Sequence, residues 1–542
     1  MATCAEIMAQ TLCDLGVHRM FGLPGGEILD FVEACRATGI DFVLTRDEAT
    51  AAFMADATGQ LQRRPSVCVS TLGPGALNLA LGVANAYLDR SPVIAITAAT
   101  ATASRPYATH QNLDLNAVYR PFTKRSITLD GENTAAVVRD AYGLAGKLRM
   151  GPVHIALPSD VARSQDRVTD EARVGGRDEA LSPAPDNSIQ QVADAIRAAR
   201  RPVVILGFDL DPKADRSSVQ HFVTKLGVPV FTTPKAKGML SEDHPLCYGV
   251  CAGVAADNLV VDFFAGADLL VGIGFDPVES NKMWHHTMKV VSISPASIAV
   301  DAYEPMHECV ADVNQTLRTL CELDLGTCDW SEDELSGFRS RFDRALRPSR
   351  DPEEGLSPYE VTRRLRQLLP RDTIHVTDVG SVKFVTTQVW QTYEPQTFLL
   401  SNGLSSMSYA LPGAMAAKLL NPDRVVLSTI GDGGLAMTLG ELETCVRRGL
   451  NFITVVYNDS SLSLIRIAQE YRGHVNCGVD FGPVDFAAAA EACGAWGARI
   501  EGMNDLDKAV TEALQLDRPA VLDVVMDPAE YMVHTAPDLP RH

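Results

Sequence analysis

Two polar residues stand where apolar ones are expected. The apolar run 425–430 ends in Gly431-Asp432-Gly433-Gly434. The run beginning at residue 451 ends in Asn458-Asp459, with Asn458 placed 26 residues after Asp432. A buried carboxylate without a partner is costly, so Asp432 needs water or a positive partner. Three chemistries answer to this pattern. Asp432 can cap a helix while Asn458 sits in a turn. The stretch 431–436 also fits G-x-G-x-x-A, a dinucleotide fingerprint with Asp459 as the ribose acid. Asp432 would then repel the pyrophosphate beside it unless a cation intervened. The third reading supplies that cation. Asp and Asn oxygens suit Mg²⁺, which takes few protein ligands and completes its shell with phosphate oxygens. The helix after the glycines offers its amide hydrogens to the same diphosphate. This reading accounts for the carboxylate and the amide together and is preferred.

A second group lies far upstream. Glu48 falls where the strand-like stretch 41–45 passes into a helical one. By itself that is satisfied by Asp47 as a helix cap with Glu48 in the first turn. Gly73-Pro74-Gly75 is a tight turn, and His110-Gln111 lies in a polar loop. Each is generic when taken singly.

The elements that would position these groups alternate between strand-like and helix-like patterns, as in layered parallel α/β proteins. The stretch 438–450 is helical and 451–459 strand-like, so 425–459 reads as a strand–helix–strand crossover. Both strands then run parallel, and Asp432 and Asn458 share one sheet edge. Apolar strand patterns occur near residues 19, 41, 66 and 93, then near 202, 228, 268 and 289, and again near 373, 397, 425, 451 and 519. The first and third groups share a layout without sharing residues. Two charged, Gly- and Pro-bearing stretches, 164–188 and 347–358, read as linkers.

Bulk properties narrow the class. A chain of 542 residues is too long for one core. Its 46% hydrophobic and 21% charged residues are those of a globular protein. A net charge of −20 with no basic block argues against nucleic-acid binding. The twelve cysteines are scattered, and only Cys247 and Cys251 are close, which points to reduced thiols rather than a zinc set. The first 17 residues read as an amphipathic helix without signal-peptide features. No apolar run reaches membrane-spanning length. A cytoplasmic protein with neither membrane nor nucleic-acid partners is expected.

Taken in order, "FGLPGG", the strand-end Glu48, "LGPG", "HQ", "SNGLSSM" and "GDGG" with "ND" downstream resemble the thiamine-diphosphate-dependent enzymes of the acetolactate synthase group. The resemblance runs from about residue 12 to 528. "THQNLD", "GFDPVES", "YEPQTFLLSNG", "GDGGLAMTLGELET" and "VDFG" are most similar to the flavin-free catabolic acetolactate synthases and their relatives.

The resemblance implies three α/β domains, each a mainly parallel sheet flanked by helices. They are a pyrimidine-binding domain (1–163), a central domain (189–346) and a diphosphate-binding domain (357–542). It implies a thiamine diphosphate and Mg²⁺ bound between the first domain of one subunit and the last domain of another. A homodimer is then the minimum active unit, and a homotetramer is common in the family. FAD is not expected, because "GFDPVES" stands where flavin-bearing members have a basic segment. Asp432 and Asn458 match the metal ligands, with the Ser460 carbonyl as the third. Gly380, Ser381, Gly433 and Gly434 match the diphosphate loops, with Ser405 and Leu462 also on the cofactor. Met407 matches the large apolar residue that bends the cofactor. Glu48 matches the glutamate that hydrogen-bonds the aminopyrimidine ring and exchanges a proton with it, a task suited to a carboxyl. Gly22, Pro24, Gly73 and Asn78 match cofactor-lining loops. Gln111, with His110 beside it, matches a polar residue facing the substrate. Gly25, Gly26, Glu27, Tyr107, Leu464, Ile465 and Gln469 complete the substrate side.

The activity implied is decarboxylation of a 2-oxo acid followed by acyloin-forming carboligation to a second carbonyl compound. A decarboxylase or C–C lyase for a larger 2-oxo acid is the alternative within the family. A dinucleotide-dependent oxidoreductase and a non-catalytic relative are the alternatives outside that chemistry. Three departures bear on the substrate. Asp47 replaces a frequent histidine, Glu27 stands where catabolic members commonly carry lysine, and Tyr107-Ala108 replace basic residues.

Overall fold

The computed structural model describes residues 2–169, 181–251, 253–279, 288–298, 304–348 and 355–535. Both expected linkers fall partly outside them. The chain builds three six-stranded sheets in which every strand pairing is parallel. The first contains β1 (Arg19–Leu23), β2 (Asp41–Leu44), β3 (Ser66–Ser70), β4 (Val93–Ala99), β5 (Arg125–Thr128) and β6 (Val153–Pro158). The second contains β7 (Pro202–Leu206), β8 (Val230–Thr232), β9 (Cys247–Val250), β10 (Leu269–Ile273), β11 (Val290–Ser294) and β12 (His307–Val310). The third contains β13 (Ile374–Thr377), β14 (Phe398–Leu400), β15 (Val426–Gly431), β16 (Ile453–Asn458), β17 (Trp496–Ile500) and β18 (Ala520–Val525). Central strands such as β3, β4, β7 and β10 are buried along their whole length, as expected where helices cover both faces.

The strand orders expose a repeat that the residues hide. The first sheet runs β2-β1-β3-β4-β6-β5 and the third β14-β13-β15-β16-β18-β17. Numbered within each sheet, the two orders are the same. The second runs β12-β11-β10-β7-β8-β9, which read from its other edge is the dinucleotide-fold order 3-2-1-4-5-6. In such sheets ligands bind at the carboxyl ends of the strands, where the strand order reverses. Those points lie between β1 and β3, between β7 and β10, and between β13 and β15.

The chain forms two compact units. One holds the first sheet together with residues 401–422 and 438–450. The other holds the second and third sheets with the remaining residues from 180 onward. The expected single helix over 438–450 is shorter: one helix spans Asp432–Thr438 and a second spans Glu441–Arg447. Among the described residues no helix is long and apolar enough to cross a membrane. All twelve cysteines are unpaired.

Candidate active site

The third sheet brings Asp432 and Asn458 together. Gly431 on β15 pairs with Tyr457 on β16, so the residues that follow leave the sheet edge side by side. They line a cavity of about 320 Å³ with Gly433, Ala436, Ser460, Phe481, Gly482, Val484 and Phe486. Asp432 is 6% exposed, and its Oδ1 accepts from the Gly433 N–H at 2.6 Å. Its Oδ2 is buried with no hydrogen-bond partner among the described residues. Burial raises its pKa, offset in part by the N–H of Gly433 and, more weakly, by those of Ser460 and Asp459.

Asn458 is held in one orientation. Its Nδ2 donates to Asp523 Oδ1 at 2.8 Å and to the Val484 carbonyl at 3.1 Å. Both amide hydrogens are thereby used, and Oδ1 is left as an acceptor. Ser460 adopts φ 58°, a left-handed backbone uncommon outside glycine. Among the described residues no group of three or more His, Cys, Asp or Glu side chains is assembled for a metal. A cation here would rest on two side chains, a carbonyl and ligand oxygens, which is the manner of Mg²⁺.

The neighbouring loop lies across the reversal point, after β13. Gly380 (φ 79°) leads into the helix Ser381–Val389, and Ser381 Oγ is buried with no hydrogen-bond partner. A hydroxyl and a carboxylate oxygen in that state fit a diphosphate–metal group. Gly434 has a different reason from the one its motif suggests. A Cβ there would lie 2.2 Å from Asp378 Oδ2, so the glycine admits a neighbouring carboxylate.

The first sheet assembles the Glu48 group. Asp47 caps the helix Glu48–Gln62, accepting from Ala49 and Thr50. Glu48 is 6% exposed and accepts from Asn78 Nδ2 at 3.1 Å. A Cβ at Gly75 would lie 2.9 Å from Glu48 Oε1. Gly73 takes φ 61°, and a Cβ there would meet Gln111 Cβ at 2.9 Å, so the Gly-Pro-Gly turn lies against Gln111. Thr71, in the same turn, donates to Glu27 Oε2 at 2.8 Å, and Gly25 packs on the Thr71 side chain. Glu48, Asn78, Gln111, Gly25 and Glu27 thus gather around one turn.

Pro24 and Gly26 flank Gly25, and His110 precedes Gln111. Tyr107 is 75% exposed, and His110, Pro24 and Gly26 are exposed as well. Gly22 lies inside β1, where a Cβ would clash with the Val69 carbonyl. Gln469 is bonded at both ends of its amide to the Cys477 backbone, which ties off the turn 473–477. Leu462 donates its N–H to the Val479 carbonyl, Leu464 is half-buried, and Ile465 is 50% exposed. Ser405 and Met407 belong to the segment 401–422, whose start is anchored on the first unit. Asp89 accepts from the N–H of Asn402 and Gly403, and Asn85 accepts from Ser401 Oγ. Met407 is half-buried there rather than sealed in a core.

Asp523, Glu441 and Asp89 carry positioning roles that pattern reading passed over. A charge inside the apolar strand "AVLDVV" was the available signal for Asp523.

Three family models match. They are the thiamine pyrophosphate enzyme N-terminal TPP binding domain over residues 2–118, the central domain over 189–320, and the C-terminal TPP binding domain over 378–524. Among similar proteins, the acetolactate synthase of Bacillus subtilis is 30% identical, covering 99% of this chain and 95% of its own. The catabolic acetolactate synthase of Raoultella terrigena is 29% identical over 96% of this chain and 95% of its own. The probable acetolactate synthase large subunit of Methanocaldococcus jannaschii is 30% identical over 98% and 93%.

Proposed function

The chain belongs to the thiamine-diphosphate-dependent enzymes of the acetolactate synthase group, and from that premise we propose that it decarboxylates a 2-oxo acid and joins the remainder to a second carbonyl compound, forming an acyloin. The observation that carries this reading is the buried, partnerless Asp432 Oδ2 beside an Asn458 whose amide is locked with its oxygen free. That pair, with the Ser460 carbonyl, is suited to Mg²⁺, and Gly380, Ser381 and Gly433 to the diphosphate. Bound thiamine diphosphate supplies the electron sink for decarboxylation.

The chain's own groups do the rest. Glu48, steered by Asn78, holds and exchanges a proton at the aminopyrimidine. Met407, on its anchored loop, is the apolar residue that would support the bound cofactor. Gln111, packed on the Gly-Pro-Gly turn, orients the substrate by hydrogen bonding. Glu27 presents an acid where a lysine would pair with a substrate carboxylate, so the partner on that side is uncharged or a hydrogen-bond donor. The active unit is a homodimer, with Glu48 of one subunit serving the Asp432 site of the other.

Glu48→Gln tests the assignment. It leaves thiamine diphosphate affinity within about threefold and removes at least about 99% of turnover, since general acid–base groups contribute on the order of 10²–10⁴. Turnover near the wild-type value would sink it. Products from 2-oxo acids, with and without aldehyde acceptors, separate carboligation from decarboxylation alone: an acyloin establishes the former.

A further inference from the structure

The unit built from the second and third sheets has another cavity, an open cleft of about 620 Å³. It shares no lining residue with the Asp432 pocket. Its volume lies within the roughly 300–1,000 Å³ typical of small-molecule sites. Its walls are basic, although the chain's net charge is −20. Arg339 and Arg347 come from the helix Glu332–Leu346 and its end, and Arg363 and Arg366 from the helix Pro358–Leu368.

The carboxylates on these walls are already engaged. Glu242 pairs with Lys237, Asp243 with Arg371 and Asp343 with Arg347, each at 2.7 Å. Among the described residues Arg339 has no carboxylate partner; it donates to the Pro245 carbonyl and stacks 4.1 Å from the Tyr248 ring centroid. Arg366 is 8% exposed and lies over the Trp390 ring. It donates to the Leu369 and Pro370 carbonyls, and its Nε is buried with no partner. A buried guanidinium without an anion is costly. The pairs Arg347–Asp343 and Arg363–Glu360 are exposed, one helical turn apart and weak, so their guanidinium groups can exchange a carboxylate for a better anion. Guanidinium forks match phosphate oxygens in two-point contacts.

We propose that this cleft binds a small polyphosphate, most fittingly a nucleoside polyphosphate, at a site separate from the catalytic one. The cavity is larger than an inorganic pyrophosphate requires. The cleft also has a mechanical link to the chemistry. Gln388 and Val389 line it from the far end of the helix Ser381–Val389, whose first residue is the Ser381 of the assigned diphosphate loop. Occupancy would therefore alter affinity for thiamine diphosphate, and by linkage the reverse. This coupling rests on the assignment of that loop, whereas binding in the cleft does not.

The test uses the full-length enzyme saturated with thiamine diphosphate and Mg²⁺, at low ionic strength and constant free Mg²⁺. Calorimetric titration with ATP and, separately, pyrophosphate should give saturable binding at one site per chain. Tighter binding of ATP assigns a nucleotide; equal affinity assigns the polyphosphate group alone. Arg339→Glu and Arg363→Glu, both at exposed positions, should weaken binding at least tenfold while leaving turnover unchanged. Absence of saturable binding to the wild type, or equal binding to both variants, would overturn the site. If binding holds but thiamine diphosphate affinity does not move with it, the coupling and its diphosphate-loop premise fail, and the site stands.

Discussion

Asn458 donates to Asp523 across neighbouring strands at 2.8 Å, and this bond decides which atom of the amide faces the cavity. Asp523 is fully buried. It also accepts from the Phe486 N–H at 3.0 Å and from Arg499 at 2.6 Å. The carboxylate is thus held by three donors and cannot rotate to release Asn458. Outer partners of this kind fix metal ligands and typically matter by 10–100-fold in affinity. Asp523→Asn should weaken Mg²⁺-dependent activation by about that factor, with turnover at saturating metal nearly retained. An Mg²⁺ titration of activity checks it. An unchanged half-saturation point would show that the orientation of Asn458 is set elsewhere.

A buried Asp432 that no cation meets is a liability to the fold. Burial raises its pKa and one oxygen lacks a partner. Asp432→Asn keeps the shape and removes the charge. It should abolish activation by Mg²⁺ and thiamine diphosphate. The cofactor-free protein should be as stable as wild type, or more stable by on the order of 1 kcal/mol. Thermal melts with and without cofactor check both halves. A variant that is destabilised without cofactor would contradict the account of Asp432 as a functional rather than structural carboxylate.

Most central strands were legible because strands buried on both faces are unbroken apolar runs, although β6 was passed over. Of the edge strands, β2 and β14 were legible and β5 and β17 were not. β5 (RSIT) and β17 (WGARI) are half-exposed and carry arginine, so neither alternation nor an apolar run marks them. The Asp432–Asn458 pairing was legible because a crossover forces parallel strands and one common edge. Glu27–Thr71 and Gly73–Gln111 were not, because they join segments whose approach depends on the order of strands, which no local pattern encodes. The anchoring of residues 401–422 on the first unit was hidden for the same reason.

Glu279 provides a pH test in the central sheet, at the reversal point after β10. Its Oε2 accepts from the Phe208 N–H at 3.0 Å, just beyond β7, where a dinucleotide's phosphate would seek an amide. Burial pushes its carboxyl from an ordinary 4.5 up to about 8. The folded value lies above the unfolded one, so the folded state keeps a proton that the unfolded chain releases. The group's contribution to stability is full below about pH 4.5, falls as pH rises and levels off above about 8. Glu279→Gln should flatten that decline, as melts across the window would reveal.

Glu441 ties the chain just after the Asp432 helix to the loop that leads into Glu48. Its Oε1 accepts from the N–H groups of Arg46 and Asp47 at 2.8 and 3.2 Å, and its Oε2 from Thr444 at 2.8 Å. Arg46 adds an ion pair to Glu443 at 2.7 Å. Both N–H groups belong to residues immediately before Glu48, so loss of their acceptor frees the start of the Glu48 helix. Glu441→Ala should cost about 1–3 kcal/mol of stability, the usual price of stranding buried donors. It should lower turnover more than it lowers thiamine diphosphate affinity, because it loosens Glu48, to which we assign proton exchange, and not the residues assigned to the diphosphate. Glu441→Gln retains an acceptor oxygen for the loop and should recover most of the turnover. Equal losses of turnover in the two variants would mean that the charge of Glu441, and not its hold on the Glu48 loop, is what the enzyme needs.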